Sequence, residues 1–452
     1  METTSPLQKQ PWSFWHKIFF RFFFIYFVLQ VMPLVWLWNT VAPLKWLGEW
    51  YQSLISFIVG LIRRPMQWLV ELCNNWFFHF PETKIINNGS GDTSIAYEEM
   101  LTFLLVAAIG ALIWSVLDRK RRSYTSANYW LRTFLRYYLI INCFIYGIIK
   151  LFALQMPFPN TSELATPLGD YLPMRLSWMF LGYSTPYQMF SGAMEVVTGL
   201  LLLNRRTITL GLFIGTVVFA NVVVLNLFYD IPVKLYSIHL TVYCLYLLSN
   251  DFKRLADFFL RNKAVAANHI HERVFTKKWK IARLVFKSLF IIFFVIIPFF
   301  QTKDRYNARQ KTLNTETSPI RSGVYDVAVY ALNGDTIAPA VTDTIRWRDF
   351  IVDRGNSGSV GSTDTAFRQR YRRGYFTIVS GNDLLSIGLQ KNITSNGAPG
   401  LIASLRYELP DSNTVILKGN KGRDSLYVVL KRSSRHFQLA EKQFHWISEA
   451  NR

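Results

Sequence analysis

Cysteine is scarce. The 452-residue chain holds only Cys73, Cys143 and Cys244, with no CxxC pair and no Cys/His spacing suited to zinc or an iron–sulfur cluster. A disulfide scaffold and a thiolate metal centre are thereby excluded, and no metal site is expected. Catalytic signatures are missing too, since GxSxG, HExxH and paired-carboxylate motifs do not stand out and no haem or flavin pattern occurs. Acidic residues are few, 29 against 50 Lys and Arg, for a net charge of +21.

That positive charge is not spread as a nucleic-acid-binding face would have it. It gathers in connectors between apolar runs, at Arg119-Lys120-Arg121-Arg122, at Arg205-Arg206 and between Lys253 and Arg283. This is the positive-inside pattern of a polytopic membrane protein, and it makes anionic lipid, not nucleic acid, the expected partner of those loops. His269-x-His271 within the last of them reads as a solvated turn.

What is present is hydrophobic: 51% of residues are apolar and 16% of the whole chain is aromatic, with positive mean hydropathy. That is too apolar for a soluble globule and too charged for membrane alone, so a membrane part plus an aqueous part is expected. The densest stretch is 186–249, where three apolar runs, 186–203, 208–228 and 233–249, are separated only by four-residue connectors. Connectors so short force antiparallel neighbours, and each run approaches the ~20 residues a spanning helix needs.

The same stretch carries polar groups: Glu195 in the first run, Asn221 and Asn226 in the second, His239 and Tyr243 in the third, Asp230 and Lys234 at their shared outer end. Ionisable groups at bilayer depth cost roughly 2.5–3.5 kcal/mol on insertion scales and face partners in the bundle interior. Asn142, Tyr146 and Lys150 share one helix face at i, i+4, i+8. Lys150, Glu195, Asn221, Asn226, Asp230, Lys234, His239 and Tyr243 are therefore the candidate ligand or proton site. Lys150 has a competing reading as a snorkelling end-of-helix lysine, and the asparagines as interhelical glue. Gly211 and Gly215 form a small-xxx-small pair expected to serve helix packing.

Further spans are expected at 18–38, 100–117, 137–154 and 284–300, making about seven in all. Arg21 is expected to snorkel. Residues 41–80 read as two interfacial amphipathic helices broken at Arg64-Pro65, with a re-entrant hairpin as the alternative. The loop 154–185 reads as a cap over the bundle mouth, and 301–319 as a polar linker. From Arg321 onward, short period-two segments alternate with turns: 323–332, 344–352, 375–380, 385–390, 401–409, 414–418 and 425–432. They predict an all-β barrel or sandwich, loosely lipocalin-like in architecture. The fold class is thus a polytopic α-helical membrane bundle followed by a carboxy-terminal β-domain. Its parts are 1–130 (two spans and the interfacial segment), 131–260 (helical core), 261–300 (basic loop and last span) and 301–452 (linker and β-domain).

Gly147-x-x-Lys150, PLGDYLPMRLSWMFLGYSTPYQMFSGAMEVVTGLLLLNRRTITLG (167–211) and NVVVLNLFYDIPVK (221–234) resemble the DoxX-like family of bacterial membrane proteins, over 130–260. The closing FHWISEANR, 444–452, is similar to the tail of long members that carry an extra domain. The resemblance implies a four-helix core at 137–249 and a lipophilic or quinone-like ligand. The family takes its name from a subunit associated with a thiosulfate:quinone oxidoreductase.

Two functions are weighed. One is a multi-pass inner-membrane protein of the cell envelope, with a cytoplasmic amino terminus. Its bundle anchors a periplasmic β-domain that meets a protein partner, and its polar interior holds a lipophilic small molecule. The other is a quinone-linked oxidoreductase component with Glu195, Lys150 and His239 at the quinone site. A transporter lacks the expected inverted repeat.

Overall fold

The computed structural model describes residues 11–32, 49–80, 91–265, 276–315, 318–340, 343–380, 386–391, 400–441 and 445–447. His269, His271, Pro33 and most of the 444–452 motif lie outside the described residues. Two compact units divide the chain. One comprises 1–151 and 189–301, the other 152–188 and 302–452.

The first unit is helical. Its helices are α1 (Phe14–Val31), α2 (Glu49–Cys73), α3 (Ser94–Leu117), α4 (Thr125–Leu151), α7 (Thr185–Leu203), α8 (Ile208–Phe228), α9 (Lys234–Leu248), α10 (Phe252–Phe259) and α11 (Lys277–Ile291). The numbers between, α5 and α6, belong to the second unit. A π-helical turn, Ile292–Ile296, joins α11 to α12 (Ile297–Asn314) in one continuous rod, whose residues from 302 onward belong to the second unit. Among the described residues five helices are long and apolar enough to cross a membrane: α1, α3, α4, α8 and the rod 277–314. Helix α9 is shorter, at 15 residues, and α7 carries Gln188 and Glu195 within its 19.

Small residues set the close crossings. A Cβ on Gly192 would lie 2.7 Å from the Gly147 carbonyl oxygen, and one on Gly147 would lie 3.0 Å from that of Gly192, so α4 and α7 touch backbone to backbone. Gly211 and Gly215 meet Leu201, Leu202 and Thr198 of α7 and pack α8 against it, as the small-xxx-small spacing leads one to expect.

Three expectations fail here for identifiable reasons. Residues 49–73 form one helix straight through Pro65, because Trp50, Leu54, Phe57, Leu61 and Trp68 keep a single exposed apolar stripe on both sides of the proline. The stretch 301–314 is helix, not linker. Its Lys, Arg, Gln and Ala residues are strong helix formers, and polarity forbids burial without forbidding helix. Arg21 is buried rather than snorkelling: its guanidinium donates to Tyr124 Oη (2.7 Å), Ser115 Oγ (2.8 Å) and the Asp118 carbonyl (3.1 Å), which replaces the water it gives up.

Among the described residues of the second unit ten antiparallel strands form: β1 (Gly323–Leu332), β2 (Asp335–Thr336), β3 (Asp349–Val352), β4 (Ser357–Val360), β5 (Arg368–Arg370), β6 (Arg373–Ser380), β7 (Ser386–Lys391), β8 (Gly400–Glu408), β9 (Thr414–Lys421) and β10 (Asp424–Arg432). Eight of them run in the order β1-β3-β4-β6-β7-β8-β9-β10, and β10 pairs back onto β1, so the sheet closes into a barrel. Strands β2 and β5 are short flaps on β1 and β6. The first hairpin turns at Asn333-Gly334, both at positive φ.

The interior is filled. Trp347 stacks on Phe350 (5.6 Å between centroids) and meets Phe367 (5.8 Å) and Tyr330 (5.7 Å) edge-on, while Phe350 stacks on Phe376 (5.1 Å). With Leu389, Leu405, Leu417 and Val428 wholly buried around them, these rings make a packed core where a lipocalin would keep a cavity.

The segment between α4 and α7 is not a free loop. It contains α5 (Thr161–Leu164), a 3₁₀ turn (Leu168–Asp170) and α6 (Pro173–Tyr183), and it is part of the barrel's own unit. Asn160 caps α5, accepting from the Glu163 N–H while the Glu163 carboxylate accepts from the Asn160 N–H. The Ser162 N–H and hydroxyl both donate to Asp353 at the end of β3 (2.9 and 2.6 Å). Ser359 donates in turn to Ser162 (2.7 Å), Arg373 to Ser359 (3.0 Å), and the Arg373 fork grips Asp349. A little further along, Asp170 pairs with Arg372 (3.3 Å) and Tyr171 meets Tyr371 at the tip of the β5–β6 hairpin. This strap, 152–188, is a structural component of the barrel. Asp353 is 3% exposed, and burial pushes its carboxyl up to about 6.

α13 (Gln438–Glu441) is a single turn beyond the last strand.

Candidate functional site

Glu195 sits one helical turn beyond Gly192 on α7, and Lys150 one turn beyond Gly147 on α4. The glycine contact that lets the two backbones touch therefore delivers both side chains to the same crossing. Lys150 Nζ bonds Glu195 Oε1, with the residues only 6% and 2% exposed. Lys150 is thus a buried partner and not a snorkelling end group. Lys234 and His239, the other basic candidates of the bundle, bond other groups. The other carboxylate oxygen, Oε2, is enclosed and accepts no hydrogen bond among the described residues.

Around this pair the remaining candidates fall into separate groups. One turn before Tyr146, Asn142 accepts a hydrogen bond from the Tyr236 hydroxyl and donates to the Tyr138 carbonyl (2.8 Å); the Tyr146 and Tyr236 rings lie 6.0 Å apart. His239 holds its Nδ1 2.7 Å from the Leu235 carbonyl, so that nitrogen carries the proton, and Nε2 accepts from the Tyr26 hydroxyl at 2.7 Å. Tyr243, 1% exposed, packs edge-on against Phe27 (5.1 Å) and Tyr138 (5.8 Å) and serves as core.

Asp230 and Lys234 form a local pair (2.7 Å) at the amino-terminal end of α9. There Asp92 accepts from the Lys234 and Leu235 N–H groups (2.7 and 3.0 Å) and caps the helix. Asn226 is glue: it donates to Ser237 Oγ (2.9 Å) and fixes the α8–α9 turn. Asn221 is exposed on α8, so it leaves the constellation. The expected single polar site thus resolves into an ion pair, a Tyr–Asn cluster, a Tyr–His contact and a capped helix end. Tyr26, Asp92 and Tyr236 were not anticipated; an aromatic hydroxyl inside an apolar run was the available signal for the two tyrosines.

Cys143 and Cys244 are free and buried near the same crossings, where Cys143 meets Gly199 and Cys244 meets Gly215. No group of three or more metal-ligating side chains occurs among the described residues.

These features define a class: a helical protein, several of whose helices are long and apolar enough to cross a membrane, carrying a closed eight-stranded barrel. Compared with known proteins, the chain is similar to the uncharacterized protein YwoB of Bacillus subtilis (strain 168), 33% identical over 138 residues. That stretch is 30% of this chain and 87% of YwoB, and the chain belongs to the family of that protein. No family model and no solved structure matches the chain.

Proposed function

We propose that this is a DoxX-like multi-pass protein of the bacterial inner membrane whose helical core anchors and positions an extracytoplasmic barrel. The observation that carries the reading is the Lys150–Glu195 pair at the Gly147–Gly192 crossing. An ion pair so buried is costly to assemble and costly to break, and here it fastens the two helices that flank the barrel's strap in sequence. The filled barrel interior fits a domain that meets partners with its outer surface.

A second reading, a quinone-linked component, draws support from one atom. Glu195 Oε2 is an enclosed acceptor without a donor, and a hydroxyl of a quinol-like lipophile is the kind of donor it lacks. His239 has both ring nitrogens engaged, by Leu235 and Tyr26, so this reading rests on Glu195 and Lys150.

The placement of the barrel is tested by cysteine labelling. The three native cysteines are buried, and Leu409, between β8 and β9, is 51% exposed. Leu409→Cys is expected to react with a membrane-impermeant maleimide in intact cells, with no added signal when the inner membrane is opened. Labelling only after opening would place the barrel in the cytoplasm and refute the reading.

A further inference from the structure

Three arginines in the helical unit are drawn inward, and they differ in what their guanidinium groups do. The Arg21 fork is spent on Tyr124, Ser115 and Asp118. Arg132 spends its own on the Leu247 carbonyl (2.9 Å) and Ser249 (3.0 Å) at the end of α9. Arg136, one turn further along α4, keeps a buried Nε without any hydrogen-bond partner among the described residues.

Its neighbours make this stranger. Two further cations, Arg205 from the α7–α8 turn and Arg283 from α11, are brought toward the same end of α4, where the Arg136 guanidinium lies over the Tyr137 ring (5.3 Å). The packing explains their approach. Arg205 donates to the Tyr129 hydroxyl (3.0 Å), two turns before Arg136 on α4. Tyr137 meets Phe286 (5.7 Å) and Phe290 (4.8 Å), which share a face of α11 with Arg283. Among the described residues none of the three arginines has a carboxylate within ion-pair distance, although carboxylates do pair with Arg254 and Arg261 nearby in sequence.

Three elements of the helical unit thus bring like charges together, with no carboxylate paired to any of them among the described residues. Such an arrangement repels itself, and it is stabilised when an anion that can accept several N–H bonds at once occupies the gap. A phosphate group fits this need: a phosphodiester carries a full negative charge on two tetrahedrally disposed free oxygens, each able to accept more than one N–H bond, and a free phosphate carries more of both.

We propose that Arg136, Arg205 and Arg283 form a binding site for a phosphate group, either that of an anionic phospholipid headgroup or of a free phosphate. The site is separate from Glu195 and does not depend on what the bundle interior holds. Arg283 is exposed on its helix and serves as the arm that engages or releases the ligand, while Arg136 and Arg205 are fixed by α4.

The test uses the full chain in detergent, with retained lipid counted by native mass spectrometry. Phosphatidylglycerol is added against phosphatidylcholine, in chloride or in inorganic phosphate at matched ionic strength. One tightly retained phosphatidylglycerol is expected. Its affinity should fall about tenfold in Arg283→Gln, whose exposed position leaves the fold alone, and again in Arg136→Lys, which keeps the charge and loses the fork. Displacement by inorganic phosphate would assign the site to phosphate alone; retention in its presence would assign it to the lipid headgroup. Equal retention of both lipids, or a parent-like affinity in Arg283→Gln, would overturn the proposal.

Discussion

Lys150→Met is expected to cost the helical unit ~3–5 kcal/mol, the loss that follows when one partner of a buried ion pair is removed and the other stays behind. The remaining Glu195 carboxylate is 2% exposed, and one of its oxygens already lacks a donor. Nothing nearby replaces the ammonium, because His239 is committed to Tyr26 and Leu235, and Lys234 to Asp230 and Asp92. The loss is a large part of the ~5–15 kcal/mol that holds a typical protein folded, so the single variant should show a sharply lower melting temperature in detergent. Lys150→Met combined with Glu195→Leu should recover most of it, since exchanging both charges for apolar groups removes the desolvation cost as well. A double variant as unstable as the single would mean that the site matters for its shape and not for its charge.

A barrel built from residues 302–452 alone is expected to be markedly less stable than the same barrel with the 152–188 strap restored. Without the strap Asp353 loses both donors from Ser162, at ~1–3 kcal/mol for the unsatisfied buried group. Val324 and Ile351 also lose Ala165, which packs against them. Denaturant unfolding of the two forms reads the difference directly. The strapped form carries a pH signature of its own. The folded unit keeps the Asp353 proton to about pH 6 where the unfolded chain releases it near 3.8. Stability from this group is therefore complete in acid and is lost as pH rises through that interval, by ~3 kcal/mol. Asp353→Asn should flatten the profile. Equal stability of the two barrels at all pH values would contradict the strap's role.

How far the sequence could be read depended on whether the signal was local. The strands from Gly323 onward and the apolar helices announce themselves through period and composition, and most appear within a few residues of the expected bounds. Strand β4 was missed because Ser357-Gly358-Ser359-Val360 has little strand character. Gly358 is there because a Cβ would lie 2.4 Å from the Ile351 carbonyl oxygen of the neighbouring strand β3, a close approach that the sequence does not announce. The bent reading of 41–80 gave Pro65 too much weight against the apolar stripe that crosses it.

For the site, helix-face arithmetic correctly put Asn142, Tyr146 and Lys150 on one side of α4, because such spacing is fixed within a helix. It has no power between helices. Which cation met Glu195 stayed open, Asn221 was placed inward with no means of fixing its rotation, and the Tyr26–His239 contact spans 213 positions. The strap was hidden for the same reason, since Ser162 and Asp353 lie 191 positions apart.

The most direct measurement is Glu195→Gln in detergent-purified protein, scored for folded yield and for co-purifying lipophiles by mass spectrometry against the parent. As a lock on the α4–α7 crossing, Glu195 predicts a fall in yield and stability, with the same bound molecules in whatever folds. Parent-like yield with loss of one specific quinone-like molecule would contradict that role and make the glutamate a ligand-binding group.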